Sequence, residues 1–401
     1  MLQPLEPPLY LDTCATTPPA ETVLQAIDRV ARHAWANPSS LHGPGLVAAE
    51  QQERSRSQIA SLLGCEAEEV VFTSGGTESI HLALLGAARR LDIAGAQPPR
   101  LVISAVEHPA TLAAARELER QGWQLVVAPV DRQGCLDLQA LSALLVPPTR
   151  LVSLIWGQSE VGSIQPIEAA GALCREAGVV LHVDAVQLMG HRPVSFRQLP
   201  VDLLSCTAHK LQGPRGVGVL VVRRGVVLEP LLGGGGQERG RRAGTEPVAL
   251  AAGMTAAFDL ADQRLRLAGG CDPLESLRND LLQALLELPG VELTGPMPGP
   301  GRLPHHISLL LRSPAGTPLS ARALVRALAR EGIATSSGSA CSSQGVAGSP
   351  VLRAMGYEPE ESQAGLRISL GPWHLHGHQD HLLGCVPDAL QRAMAQQSAE
   401  V

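Results

Sequence analysis

The sequence predicts an α/β protein with a large domain built on a doubly wound, mostly parallel sheet, and a second, smaller α+β domain. Short β-branched runs recur from residue 70 to residue 183, and amphipathic helical stretches separate them. Strands that are apolar on both faces and alternate with helices are typical of a parallel sheet covered by helices on both sides. After about residue 265 this alternation stops, which predicts the smaller domain.

The elements of the large domain can be predicted in order along the chain. Thr16 and Thr17, followed by Pro18 and Pro19, favour a helix start with a capping hydroxyl, and apolar residues at helical spacing continue to Ala34. Strands are then predicted at Val70–Thr73, Leu101–Ser104, Leu125–Val127, Leu151–Ile155 and Val179–Val183. Helices are predicted between them at Ser79–Arg90, Pro109–Gln121 and Pro166–Ala177. For the smaller domain, the pattern predicts helices Pro273–Leu288 and Ser320–Arg330 and strands Val291–Leu293 and Ile307–Leu311.

Composition narrows the functional classes. The chain has 401 residues, 45% apolar side chains and a net charge of −6, and its basic residues are dispersed. Because nucleic-acid sites need clustered positive charge, nucleic acid is not expected as the main ligand. The N-terminus lacks a signal-peptide pattern and no apolar run approaches a membrane span, so no membrane association is expected. Eight scattered cysteines without a Cys-x-x-Cys pair favour reduced thiols, no metal site and a cytoplasmic location.

Polar side chains stand directly after the predicted strands of the large domain. They form five clusters, at Ser74–Glu78, Glu107–Pro109, Gln158–Glu160, Asp184–Gln187 and His209–Lys210. In a doubly wound sheet, ligands bind outside the carboxyl ends of the strands. Five clusters at such ends therefore predict one shared site, and a cofactor site explains them better than chance does.

One of the clusters contains the only lysine of the chain. Of the 32 lysine and arginine side chains, Lys210 alone is a lysine. A lysine amine can lose its proton and act as a nucleophile or base, which an arginine guanidinium cannot. Lys210 follows the largely apolar run Val201–Leu204 and precedes the glycine-rich run Gly213–Gly218, so we expect it at a strand-to-loop exit. The alternative, a surface lysine retained by chance, agrees poorly with these neighbours.

The residue types in the clusters favour one cofactor. Ser74–Thr77 opens a helix, where bare backbone N–H groups and a hydroxyl bind phosphate at the positive helix end. Asp184 follows a largely apolar strand, and a buried carboxylate there needs a cation such as a protonated pyridine nitrogen. With Lys210 as the Schiff-base amine, this is the minimum set for pyridoxal 5′-phosphate. A flavin or nicotinamide site would require a Gly-x-Gly-x-x-Gly turn after the first strand, and the sequence has none there.

The motifs of the chain also resemble those of a known family. They are Tyr10–Asp12 with Ala15–Pro18, Asn37–Ser40, Phe72–Glu78, Glu107–His108, Val183–Gln187, His209–Lys210, Gly236–Thr245, Ser336–Cys341 and Arg367 with Ser369. In order and spacing they are similar to the cysteine desulfurases of the class V aminotransferase superfamily, in its iron–sulfur-cluster and nitrogen-fixation branch. The resemblance implies the fold of the pyridoxal-phosphate-dependent transferases, as in aspartate aminotransferase. It also implies a large cofactor-binding domain at residues 16–262 and a small domain at residues 1–15 and 263–401.

The resemblance assigns roles at the cofactor ring. Lys210 would carry the cofactor and shuttle the Cα proton of the substrate, and Asp184 would hold the pyridinium nitrogen. His108 would stack on the ring and act as an acid or base. A capping histidine at a helix start is the alternative for His108. Gln187 and Ser159 would face the phenolic oxygen of the cofactor.

Further roles are implied for the phosphate, the substrate and the sulfur. Arg367 would bind the substrate carboxylate through two N–H donors, helped by Asn37. The phosphate would be bound by Gly76, Thr77, Thr207, His209 and, from a second subunit of a homodimer, Thr245. Cys341, in a loop of about 335–350 carried by the small domain, would take the sulfur of L-cysteine as a persulfide and leave L-alanine. A sulfur-acceptor protein, a scaffold or a carrier, would collect it for iron–sulfur cluster assembly or thio-cofactor synthesis.

The Cys341 loop can also be assessed from its residues. Small and polar residues surround Cys341 and no large apolar side chain anchors the segment, so a mobile loop is predicted. A buried, inert thiol is the alternative. Cys14, where the family often has Ala or Ser, is interpreted as a small core residue. The histidines of His374–His381 are interpreted as a solvated helix start, with metal binding as the alternative.

One motif departs from the family pattern. Gln158-Ser159-Glu160 stands where the family usually has Asn-Asn-Glu, and the second Asn normally donates to the phenolic oxygen of the cofactor. Serine is shorter, so turnover or substrate choice is expected to differ. Two alternatives therefore stay open: another class V enzyme, such as a selenocysteine lyase, a transaminase or an epimerase, and a catalytically weak partner protein.

Overall fold

The computed structural model describes residues 9–91, 97–338, 348–377 and 379–399. Cys341 and His378 lie outside the described residues. The strands are β1 (Leu9–Tyr10), β2 (Val70–Thr73), β3 (Arg100–Ser104), β4 (Gln124–Ala128), β5 (Thr149–Ile155), β6 (Val180–Asp184), β7 (Leu203–Thr207), β8 (Gly218–Val222), β9 (Val291–Leu293), β10 (His306–Leu311), β11 (Ile333–Ala334) and β12 (Gly365–Ser369). The helices are α1 (Glu21–His33), α2 (Gly43–Leu63), α3 (Gly76–His81), α4 (Pro109–Arg120), α5 (Leu138–Leu144), α6 (Ile167–Glu176), α7 (Val248–Leu267), α8 (Leu274–Leu286), α9 (Ala321–Arg330), α10 (Pro350–Ala354) and α11 (Gln379–Ser398).

A seven-stranded sheet forms the centre of the large domain, in the order β2-β8-β7-β6-β5-β3-β4. β8 runs antiparallel to both of its neighbours, and the other pairings are parallel. The predicted mostly parallel sheet is therefore confirmed. Alternate residues of one strand belong to different cores: Val102 shares a core with residues of α6 and α7, whereas Leu101 and Ile103 share another with residues of α4. Helices thus cover both faces, as apolar parallel strands require.

A second core belongs to the C-terminal part of the chain. An antiparallel sheet in the order β12-β10-β9 packs with α8, α9 and α11 through Leu281, Leu309, Leu366 and Leu390. Leu11, from the N-terminal segment, is buried in this same core. The two cores support the domain division that we propose, although α7 continues to Leu267, past the expected boundary at residue 262. Among the helices of the described residues, none has the length and apolar character needed to cross a membrane.

The predicted start of the first helix is wrong. α1 begins at Glu21, and no side chain caps it. The hydroxyl of Thr17 instead donates to the carbonyl of His209 (2.9 Å) and accepts from the backbone N–H of Gln212 (2.7 Å). Pro18 and Pro19 disfavour helical backbone in the residues before them, so no helix forms there. Residues 12–15 make a turn, in which the backbone N–H of Ala15 donates to the carbonyl of Asp12 at 3.0 Å. Residues 12–17 therefore form a strap, here called the N-terminal strap, that lies against the segment containing Lys210.

Candidate active site

The register of the large sheet brings the polar clusters to one edge. Thr73, at the end of β2, pairs with Gly218, which in turn pairs with Thr207 at the end of β7. Asp184, at the end of β6, pairs with Ile155 at the end of β5. The segments that follow these strands therefore emerge side by side, as expected for the ligand-binding edge of a doubly wound sheet.

A cavity of about 470 Å³ lies at this edge. Its lining contains these residues from the predicted site: His108, Ser159, Asp184, Gln187, Lys210 and Arg367. Gly76 adjoins it, since a Cβ on this glycine would lie 3.0 Å from Val186 in the lining. Asn37 and Thr245 are exposed and are not part of the lining. Cys14, Glu107 and Glu160 also line the cavity, although sequence reasoning gave them no role there.

The amine of Lys210 is held by the N-terminal strap. Its Nζ donates to the carbonyl of Cys14 at 2.5 Å and to the carbonyl of Ala15 at 2.7 Å. Lys210 follows β7 directly, so the predicted strand-to-loop exit is confirmed. The carbonyl of Cys14 also accepts from Nε2 of Gln187 at 2.9 Å. The strap therefore positions two residues that the sequence assigns to the cofactor ring.

Asp184 is a buried carboxylate at the floor of the sheet edge. Its Oδ1 accepts from the backbone N–H of Val186 at 3.0 Å. Burial raises the pKa of Asp184, while the nearby His108 and Lys210 lower it. A carboxylate in this position is stabilised by a cation placed in the cavity. The protonated ring nitrogen of pyridoxal phosphate fits that requirement.

His108 is the capping histidine that was considered as the alternative, and it also lines the cavity. It is the N-cap of α4, and its Nδ1 accepts from the backbone N–H of Ala110 at 3.1 Å. Because a backbone N–H can only donate, Nδ1 must carry the lone pair, and the proton of the neutral ring is on Nε2. Burial lowers the pKa of His108, which favours this neutral form. The ring of His108 also lines the cavity. Capping therefore fixes the tautomer that this ring has in the cavity wall.

A cradle for a phosphate group lies between β2 and α3. Gly218 approaches the loop so closely that a Cβ would lie 2.7 Å from Cα of Gly75. Only glycine permits this backbone approach, which leaves the first N–H groups of α3 open at the sheet edge. Glu78 braces the loop, because it accepts from the backbone N–H of Ser74 (2.6 Å) and from Nε of Arg242 (2.8 Å). The cradle and Asp184 together fit pyridoxal phosphate.

Arg367 is buried and its donors are already partly used. Nη2 donates to Oδ1 of Asp12 at 2.6 Å, and Nη1 donates to the carbonyl of Ser159 at 3.0 Å. Nε is buried without a hydrogen-bond partner among the described residues. A guanidinium has five N–H donors and these two bonds use two of them, so a substrate carboxylate would share Arg367 with Asp12.

Two further acids lie in the cavity wall: Glu160 is buried and Glu107 is half-buried. Oε1 of Glu107 accepts from the hydroxyl of Ser104 (2.5 Å) and from the backbone N–H of Ile155 (2.8 Å). Burial raises the pKa of Glu107 to about 8, so this side chain is mainly protonated at neutral pH. Burial also raises the pKa of Glu160 to about 7. In the sequence, both acids could be identified as candidates because each one follows a predicted strand.

The side chain of Gln158 cannot replace the missing asparagine. Its Oε1 accepts from the backbone N–H groups of Glu160 and of Val161 (2.9 Å), and its Nε2 donates to the carbonyl of Val106 (3.3 Å). The amide is therefore committed to the turn after β5. Ser159 lines the cavity.

Comparison with known proteins agrees with this site. Residues 9–375 match the aminotransferase class-V family. The chain is 38% identical to a cysteine desulfurase of Klebsiella pneumoniae, over 96% of this chain and 94% of that protein. It is 37% identical to cysteine desulfurase IscS of Dictyoglomus turgidum, over 90% of this chain and 89% of that protein.

Two solved structures are similar over nearly their whole length. A NifS-like protein superposes with a TM-score of 0.86 at 32% identity, covering 96% of this chain and 100% of that chain. SspA in complex with cysteine superposes with a TM-score of 0.78 at 28% identity, covering 91% of this chain and 99% of that chain. The chain therefore belongs to the aminotransferase class-V family, to its cysteine desulfurase group, whose cofactor is pyridoxal 5′-phosphate.

Proposed function

We propose that this protein is a cysteine desulfurase that removes sulfur from L-cysteine, gives L-alanine and receives the sulfur as a persulfide on Cys341. One observation carries the proposal: Lys210, Asp184 and Arg367 line a single cavity of about 470 Å³. These side chains supply an amine, a partner for a pyridinium nitrogen and a guanidinium for a carboxylate. The similarity to proteins named cysteine desulfurase and to a structure in complex with cysteine supports the choice of substrate.

We assign the ring-binding residues the following roles. When bound, pyridoxal phosphate supplies an electron sink that weakens bonds at the substrate Cα. Nζ of Lys210, which the strap aims from Cys14 and Ala15, moves the proton at that carbon. With the cofactor bound, Asp184 would hold the positive ring nitrogen and His108 would present its Nε2–H. Gln187 and Ser159 would face the phenolic oxygen.

A homodimer completes the site in this proposal. Thr245 is exposed, and Arg242 of the same loop is braced against Glu78 beside the phosphate cradle at 2.8 Å. Trp35 and Leu41 are large apolar side chains that are 73% and 91% exposed. Ala34, next to Trp35, belongs to the same core cluster as Val248, which follows Thr245 by three residues. We propose that a second copy covers this surface and that its Thr245 joins Gly76, Thr77, Thr207 and His209 at the phosphate.

Substrate binding and sulfur release are assigned to the remaining residues. Arg367, with help from Asn37, binds the substrate carboxylate. Cys341 takes the sulfur and transfers it to a scaffold or carrier protein in the cytoplasm, for iron–sulfur clusters or thio-cofactors.

The described residues contain no group of three or more histidine, cysteine or acidic side chains arranged to hold a metal. Because serine is shorter than asparagine, Ser159 makes the reaction slower than in relatives that have asparagine at this position.

A single-turnover experiment tests the proposal. The protein is mixed with less than one equivalent of L-cysteine, and its peptides are analysed by mass spectrometry after blocking of free thiols. The Cys341 peptide is expected to gain one sulfur atom as one alanine appears. A transaminase or an epimerase would leave that peptide unchanged, and a catalytically weak partner protein would form no alanine. Sedimentation equilibrium tests the homodimer, with Trp35→Glu expected to shift the protein towards the monomer.

A further inference from the structure

The turn at residues 208–213 carries Lys210 directly after β7. Within it, the backbone N–H groups of Leu211 and Gly213 both donate to the carbonyl of Ala208, at 2.9 and 3.0 Å. The carbonyl at position 209 and the N–H at position 212 are bound from outside the turn. Because backbone N–H and C=O groups are obligatory hydrogen-bonding groups, whatever binds these two also fixes the turn.

Both groups are bound by the hydroxyl of Thr17. It donates to the carbonyl of His209 at 2.9 Å and accepts from the backbone N–H of Gln212 at 2.7 Å. The direction of each bond is fixed, because a carbonyl can only accept and a backbone N–H can only donate. One hydroxyl on a buried side chain therefore connects the residue before Lys210 to the residue two positions after it.

Gln212 has a backbone conformation that needs such support. Its φ is +59°, in the left-handed region that residues other than glycine adopt at a cost. Such a conformation persists only where the surrounding structure holds it. The bond from its N–H to Thr17 holds it here, together with a bond from the backbone N–H of Ala20 to its carbonyl at 2.9 Å. Without the hydroxyl, we expect the turn to relax and the side chain of Lys210 to change direction.

The strap that carries Thr17 is itself held in place. The backbone N–H of Thr17 donates to the carbonyl of His209 at 2.9 Å. Earlier in the strap, the backbone N–H of Cys14 donates to Oγ of Ser369 at 3.0 Å. Leu11, which precedes the strap, is buried in the core of the C-terminal part of the chain. The hydroxyl therefore has a fixed position against the turn.

We propose that Thr17 is a positioning residue for Lys210 in the attachment of pyridoxal phosphate. In that reaction the amine attacks the aldehyde carbon of the cofactor, a C–N bond forms, and the aldehyde oxygen leaves as water. The Thr17 hydroxyl fixes the turn, and the turn fixes the direction from which Lys210 reaches the cavity. Thr17 does not line the cavity, so its effect is confined to the covalent step. Thr17 has this role only if Lys210 has the one given to it in the proposed function.

The test compares a ligand that needs the lysine with one that does not. Full-length protein, freed of its cofactor, is equilibrated with increasing pyridoxal phosphate and reduced with borohydride, and labelling of the Lys210 peptide is measured by mass spectrometry. Pyridoxamine phosphate, which has an amine in place of the aldehyde and cannot react with a lysine, is titrated by calorimetry. Thr17→Val keeps the shape of the side chain without its hydroxyl. It should raise the half-saturating concentration of pyridoxal phosphate about tenfold and change the affinity for pyridoxamine phosphate by less than about twofold.

Three further proteins serve as controls. Thr17→Ser keeps the hydroxyl and should restore the affinity of the unmodified protein for pyridoxal phosphate. Thr255→Val removes another buried hydroxyl, which donates to the carbonyl of Ala251 at 2.9 Å inside α7, and should alter the binding of neither ligand. In protein that carries Lys210→Ala, Thr17→Val should no longer alter the noncovalent binding of pyridoxal phosphate, because the proposed effect acts through the lysine.

Equal losses of affinity for both ligands in Thr17→Val would overturn the proposal, since they would show a general loss of structure at the site. So would unchanged affinities, or an effect of Thr17→Val that persists in the Lys210→Ala protein. Thermal unfolding establishes that each variant is folded, and Thr17→Ala, with the same expectations, replaces Thr17→Val if the latter does not fold. An unlabelled Lys210 peptide in the unmodified protein would refute the role of Lys210 and this proposal together. Desulfurase turnover enters none of these readouts, so the two can also be judged separately.

Discussion

Arg367 and Asp12 form an ion pair inside the candidate active site, with Nη2 of the arginine 2.6 Å from Oδ1 of the aspartate. The two residues are 355 positions apart in the chain, and the guanidinium is buried. The negative charge of Asp12 therefore lies beside the guanidinium that a substrate carboxylate is proposed to use. The pair gives the arginine a carboxylate partner of its own, and a second carboxylate at the same guanidinium is repelled by Asp12.

Replacing Asp12 with asparagine is therefore expected to strengthen the binding of carboxylates. Asp12→Asn keeps the shape of the side chain and removes the competing charge. A hydrogen bond to a charged group contributes about 1.5–3 kcal/mol, so the inhibition constant of 3-mercaptopropionate should fall about tenfold. Cysteamine, which has no carboxylate, serves as the matched ligand and should bind unchanged.

An exposed ion pair provides the control for that substitution. Asp28→Asn removes the partner of Arg32 on the surface of α1 and should alter neither constant. Weaker binding of 3-mercaptopropionate to Asp12→Asn would contradict the competition, and would mean that Asp12 chiefly orients Arg367.

Restoring the family residue at position 159 is expected to raise turnover. Because the amide of Gln158 is committed to the turn after β5, the phenolic oxygen of the cofactor depends on residue 159. Ser159→Asn should shift the absorbance of the bound cofactor and its pKa, and raise kcat about tenfold. An unchanged spectrum and an unchanged rate would show that another group, such as water, already donates there.

The single lysine makes attachment of the cofactor unusually easy to test. Borohydride reduction of the protein with pyridoxal phosphate should label one side chain, Lys210, after the α-amino group has been blocked. Lys210→Ala should lose the label entirely. Lys210→Arg should lose it too, because the guanidinium of arginine stays protonated and is not a nucleophile. Label that persists in either variant would exclude Lys210 as the attachment site.

Glu107 is expected to make stability depend on pH. The folded protein holds its proton up to about pH 8, whereas an unfolded glutamate loses it near the ordinary pKa of 4.5. Between these values the folded state binds more protons, so stability falls as pH rises. Glu107→Gln removes this dependence, and its stability relative to the unmodified protein should increase by roughly 2–4 kcal/mol from pH 5 to pH 8.5.

Urea unfolding at several pH values measures that difference. Glu119→Gln, at an exposed position of the same helix that follows Glu107, is the control and should change nothing. Parallel stability profiles for the Glu107→Gln variant and the unmodified protein would show that Glu107 is ionised in the fold.

The sequence predicted the sheet well because each strand corresponds to a short, continuous run of apolar residues. The apolar runs at β2, β3, β5 and β6 and the polar residues after them could be identified, and so could the edge at which a ligand binds. The hydroxyl of Thr17 was misassigned because a cap and a tertiary contact to His209 look alike in sequence. The 21-residue helix α2 was missed, because its apolar residues do not form a clear stripe.

Contacts between distant segments could not be predicted in this way. Asp12 and Arg367, or Cys14 and His305, meet only because the N-terminal strap crosses the sheet edge. No periodicity in either segment indicates such a partner.

The measurement that tests the central claim most directly is alanine production by Cys341→Ser. This substitution leaves Lys210, Asp184 and Arg367 unchanged, so the variant should show the same cofactor absorbance and should still bind L-cysteine. With excess L-cysteine and a reductant, the unmodified protein should form alanine and sulfide in equal amounts, whereas Cys341→Ser should form almost none of either. Full conversion of L-cysteine to alanine by Cys341→Ser would contradict the desulfurase mechanism proposed for this protein.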